Sequence, residues 1–270
     1  MAPVLQDAVT ARREGRSDDA LRLMAELFDQ MTKGVPGTNE LHFITLFEWS
    51  QLAEAYHPAY EALASARDEQ VRRLLDGDDI FGASDVAWPR SRFRVIINMN
   101  ETFKDSRATS ELFIQLLSLQ PALAHREARL ALPAIVEAGN FALAERYLAD
   151  PLARLKELNQ LANELPLFPP PRAAPRLAAE LTIFVRDVTL LAAVHEGLGK
   201  DSEAKSLRGA ALSGIASDDM RALGQRELAA PGTITREIRV VEEAAPLRQA
   251  LLEMYVAIAL DAKYNDFDNH

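Results

Sequence analysis

Residues 4–31 read VLQDAVTARREGRSDDALRLMAELFDQM, and the way apolar residues recur in this stretch decides the fold. Apolar positions run from Val4 to Ala11, pause at Gly15-Arg-Ser-Asp-Asp19, and resume at Ala20, Leu23, Met24, Leu27, Phe28 and Met31. Steps of three and four residues place these side chains on one stripe of a helix, twice over. Gly15 suits the end of the first helix, and Ser17 or Asp18 suits the cap of the second, because a short side-chain oxygen satisfies free amides there. The stretch predicts a helical hairpin.

The same pattern extends along the chain. After Lys33-Gly-Val-Pro-Gly37, Thr38 or Asn39 caps a helix to about Tyr56, and Pro58 opens another to about Leu75. Leu41, Phe43, Ile44, Leu46, Phe47, Trp49, Leu52 and Tyr56 cover most of the first of these, leaving Thr45, Glu48 and Gln51 as its polar stripe. A loop from Asp76 to Pro89 precedes a helix carrying Phe93, Ile96, Ile97, Asn100 and Phe103, paired with a segment from Thr109 or Ser110 to Leu119. A fourth pair spans 122–138 and 141–165, and a fifth 176–196 and 202–215. The prolines of 166–175 cannot sit inside a helix, so the expected organisation is a helical-hairpin array over 1–165, a linker over 166–175, and further helices with a terminal apolar helix over 176–270, or one continuous domain. Residues 231–241 fit an extended arm or a helix. The helix from Ala244 to about Lys263 is apolar nearly all round at 254–260, which predicts burial within the chain or against a second copy.

Composition agrees with this. Ala (44) and Leu (38) together fill 30% of the 270 positions, against 12 Gly, which argues for helices throughout. The formal charge of -10 disfavours nucleic acid, and the Arg90, Arg92 and Arg94 cluster beside Trp88 and Phe93 is too small for a phosphate footprint and reads as the surface of a helix N-terminus. No apolar run approaches the ~20 residues of a bilayer span, and no export signal opens the chain. With no cysteine and high Ala and Arg usage, a bacterial-type cytoplasm is the expected setting.

Three turns share one spacing: Gly15 to Ala20, Gly139 to Ala144 and Gly199 to Ala204. Val4, Ala8, Met24 and Leu27 flank the first, and Val188, Leu191, Ala192 and Ala211 the third. In these positions the chain resembles the tetratricopeptide repeat in degenerate form, with helix pairs longer than ~34 residues and Leu132 at a small-residue position. The resemblance implies an all-α, right-handed superhelix of antiparallel helix pairs. It also implies a non-enzymatic scaffold that binds a protein or peptide in a concave groove lined by the first helix of each pair. The implied contacts are Thr45, Glu48 and Gln51, then Arg94 and Asn98, then Arg186 and Asp187.

Catalytic and metal patterns are weak. Glu54-Ala-Tyr-His57 is a single Glu-x-x-His where a di-metal bundle needs two, and no His-Glu-x-x-His occurs. Asp76-Gly-Asp-Asp79 begins like a calcium loop but Ile80 breaks it, and Gly197-Leu-Gly-Lys200 lacks the serine or threonine of a phosphate loop. There is no Gly-x-Ser-x-Gly and no thiol, so no catalytic residue, cofactor or metal is assigned. Asn100 and His195 are expected as buried polar residues that need hydrogen bonds. Two alternatives remain: a helical enzyme or ligand-binding protein with an enclosed pocket near Asn100, His195 and Glu48, and a structural or toxin-neutralising partner with an acidic surface.

Overall fold

A computed structural model describes residues 3–83, 89–169 and 173–243. The chain is mostly helical (78%), its helices packed in sequential pairs, and it divides into two compact units, residues 1–138 and 139–270.

In the first unit, α1 (Pro3–Arg13) and α2 (Ser17–Thr32) form the hairpin read from residues 4–31. Gly15 turns the chain in the left-handed conformation at φ 75°, and Ala20 is fully buried where the helices meet. Neither Ser17 nor Asp18 caps α2. Arg16 holds that place without a side-chain bond, and the Asp18 carboxylate accepts a bond from the Tyr56 hydroxyl instead.

A 3₁₀ turn (Asn39–Leu41) leads into α3 (His42–Ala55), followed by α4 (His57–Leu75), α5 (Arg92–Thr102), α6 (Ser106–Leu119) and α7 (Pro121–Glu137). The helix α3 lies against α1, α2, α4 and α5, while α5 also reaches α6 and α7. Alternate helices also touch, α1 with α3, α3 with α5 and α5 with α7. Phe28, Trp49 and Phe81 fill the core: the Phe28 ring stands edge-on to Trp49 at 5.9 Å, and the Trp49 indole N–H donates to the Ala59 carbonyl at 3.0 Å.

The stretch read as an open loop carries a two-residue antiparallel ladder, β1 (Ile80–Phe81) with β2 (Arg90–Ser91). Arg92 explains why. Sequence places it on a surface, yet it is fully buried, and its guanidinium donates to the carbonyls of Asp78 (2.7 Å) and Ile80 and to the Gln70 side chain, with Asp78 as ionic partner at 2.8 Å. One rigid fork thus fixes four backbone or side-chain acceptors. Burial raises the Asp78 carboxyl, but the bonds from Arg92 and Arg73 outweigh this and leave it below its ordinary value.

In the second unit, the single helix expected over 141–165 is broken into α8 (Phe141–Glu145), a 3₁₀ turn (Pro151–Arg154) and α9 (Leu155–Glu164). Pro151 has no amide to donate, and the Asp150 side chain accepts from Leu152 N at 2.9 Å to start the chain afresh. The helix α8 packs on α10 (Arg176–Gly197), which also contacts α11 (Asp201–Gly214) and α12 (Asp218–Ala229). The proline-rich stretch 166–175 falls inside this unit, where Leu167 and Phe168 pack against its core.

Residues 233–243 resolve as a helix, α13 (Thr233–Glu243), with Ile234 fully buried. The buried Glu227 carboxylate caps it, accepting from Gly232 N and Ile234 N at 2.8 Å each. The apolar helix expected over 244–263 lies outside the described residues.

Candidate functional site

The helix α3 packs against α1, α2, α4 and α5 and keeps one exposed stripe, the most distinctive surface of the first unit. That stripe carries Phe43 (53% exposed) and Phe47 (48% exposed), spaced one helical turn apart, with Ser50 and Glu54 continuing it.

This reverses the sequence expectation for α3. At about 100° per residue, Thr45 and Glu48 sit on the far side from Phe43, at about 200° and 140°. Both are buried. Glu48 is held inward by Arg12 of α1, whose Nε and a terminal nitrogen lie 2.9 and 2.8 Å from one carboxylate oxygen. Gln51 is half-buried at the edge of the open stripe. Phe43 and Phe47 take the place expected for the polar contacts. Because α3 is apolar on nearly every side, its own pattern did not say which stripe faces out. The ionic partner on α1 holds Glu48 on the covered side, together with the buried Trp49 and its bond to Ala59.

On α5, Arg94 and Asn98, with Glu101, follow an i, i+4, i+7 stripe away from the buried Phe93, Val95, Ile96 and Met99. Desolvation raises the Glu101 carboxyl from its ordinary value, against the opposing pull of Arg94. Asn100 is buried and donates to the Thr109 hydroxyl of α6 at 3.0 Å, a bond that ties two helices together.

At the start of α3, His42 is fully buried with both ring nitrogens lacking a partner among the described residues, and the Thr45 hydroxyl shares that condition. The imidazole meets Phe81 edge-on at 5.6 Å. Burial, reinforced by the charge of Arg90, lowers its pKa to about 3.

Arg186 and Asp187 belong to the second unit. Asp187 takes a bond from Arg186 at 3.1 Å and lies 3.5 Å from Arg154, which also pairs with Glu180 at 2.9 Å. Beside this network is a cleft of about 10 Å³, room for one water molecule, lined by Arg154, Glu157, Leu158, Leu161, Glu180 and Phe184. His195 is half-buried near the end of α10, with its Nδ1 lacking a hydrogen-bond partner among the described residues.

The residues behind the weak motifs have local partners. His57 lies 3.3 Å from Glu61, Asp79 pairs with Arg126 at 2.5 Å, and Lys200 pairs with Glu145 at 2.5 Å. Among the described residues, no three His, Cys, Asp or Glu side chains converge as a metal site, and no helix is long and apolar enough to cross a membrane. No protein-family profile matches the chain, and neither a curated protein nor a solved structure matches it significantly.

Proposed function

We propose that this protein is a non-enzymatic scaffold, built as a tetratricopeptide-like superhelix, that binds a protein or peptide on the open face of α3 and α5. The observation that carries the reading is the pair of exposed phenylalanines, Phe43 and Phe47. Each leaves about half its surface in water, and covering both is worth about 2 kcal/mol, a cost that isolated folding leaves unrecovered. The adjoining Gln51, Arg94 and Asn98 supply polar groups that fix a ligand's register, in the usual arrangement of an apolar anchor with a polar rim.

The reading requires no cofactor, metal, nucleic acid or membrane, and it places the protein in the cytoplasm. Self-association near the C-terminal end is a second role, supported by the exposure of Val240 (64%) and Val241 (38%) at the end of α13.

The test is photo-crosslinking in the native cell with a benzoylphenylalanine at position 47. A defined polypeptide adduct that disappears when Phe43→Ser is added is the expected result. Absence of a site-dependent adduct, or capture of a small molecule in its place, refutes the scaffold.

A further inference from the structure

Resting on that reading and deepening it, we propose that the partner seated on α3 is a cationic amphipathic helix, with large apolar side chains along one stripe and a lysine or arginine at each end. The open stripe of α3 is not uniformly apolar: Phe43 and Phe47 lie between Glu40, in the turn before the helix, and Glu54 near its end, all four exposed. Neither glutamate forms an ion pair with a described residue, although the surface is otherwise rich in such pairs, including Arg16–Glu14, Arg72–Glu69 and Arg107–Glu111. The carboxylates that flank the phenylalanines on the stripe itself are those of Glu40 and Glu54, while Arg90 donates to the side chain and carbonyl of the preceding Asn39.

Glu54 follows Glu40 by fourteen positions, about 22 Å of backbone along the axis with the first steps at the 3₁₀ rise and the rest at the α-helical rise. A helix laid along α3 meets both with basic residues about four turns apart while its apolar stripe covers the phenylalanines. Ser50, between them, donates its hydroxyl to the Phe47 carbonyl at 2.7 Å and asks nothing of a ligand.

The same charges discriminate against other occupants. A second copy related by a two-fold axis sets Glu40 opposite the partner copy's Glu54, twice, with no compensating cation from α3. An anionic membrane surface is repelled by both groups and by the net charge of -10. A cationic helix is attracted by all three, which also speeds its encounter at low salt.

The experiment displays a library of 18-residue helices with a fixed apolar stripe and end positions varied among Lys, Arg, Gln and Glu, selected on the full-length protein. The same selection is run on Phe43→Ser/Phe47→Ser and on Glu40→Gln/Glu54→Gln. Support is an enrichment of basic over acidic ends of about tenfold that is lost in the glutamine variant and weakened by salt, with binding abolished in the serine variant. Binders that need the phenylalanines but show no preference for basic ends overturn the charge inference and leave the scaffold reading standing. Binders indifferent to the phenylalanines overturn both. Circular dichroism of each variant, all changed at exposed positions, checks that the fold is intact.

Discussion

Acidification should destabilise the first unit through one side chain, His42. In the native state its imidazole is fully buried, without a hydrogen bond from any described residue, and its pKa is lowered to about 3. In the unfolded chain it returns to about 6.5. Between those values the unfolded state binds the proton and the native state does not, so stability is complete above about pH 6.5 and falls as the pH drops towards 3. At pH 5.5 the loss is RT ln(1 + 10), about 1.4 kcal/mol relative to pH 7.5, a large share of a small unit's stability. Trp49 is buried in the core of the first unit and residues 139–270 hold no tryptophan, so tryptophan fluorescence in urea titrations at the two pH values reports the unfolding of that unit. Replacing His42 with leucine should reduce the pH dependence by about this amount while keeping the contact with Phe81 apolar. An equal loss of stability in wild type and His42→Leu, or a native imidazole titrating near 6.5 by NMR, refutes the reasoning.

Arg92→Met should cost about 3–5 kcal/mol in the same fluorescence assay, because it strands Gln70 and the carbonyls of Asp78 and Ile80, and Arg92→Lys should recover little, since an ammonium cannot fork to all of them. Gly34→Ala adds a Cβ 2.5 Å from the Ala83 amide nitrogen at φ 72° and should cost at least about 2 kcal/mol; Gly15→Ala, at φ 75° with nothing within 4 Å, should cost about 1 kcal/mol. Glu227→Ala removes both acceptors at the start of α13, so amide exchange over 234–241 should accelerate about tenfold or more by mass spectrometry while α12 changes less.

What was legible in the sequence was local. The left-handed glycines at 15, 139 and 199 and the fully buried Ala20, Ala144 and Ala204 sit where the spacing put them, because a tight turn and a close helix approach are demands of a few neighbouring residues. The break at Pro151 was missed although proline carries the signal: apolar periodicity on both sides resumed in phase and masked it. The orientation of α3 was beyond local reading. It depends on contacts distant in sequence, among them Arg12 meeting Glu48 across 36 residues, which turn the polar stripe inward on a helix that is apolar nearly all round. Arg92 was misplaced for the same reason, since its acceptors come from α4 and from the backbone of a loop.

The inversion of α3 also fixes which positions can drift through inheritance. A change at Glu48 strands the arginine opposite it, so the polar position tolerates few replacements; Phe43 and Phe47 are free to become polar as far as folding is concerned. Among descendants of this chain, persistence of aromatic residues at 43 and 47 would therefore record selection by whatever binds there, whereas persistence of Glu48 would record only the demands of the fold.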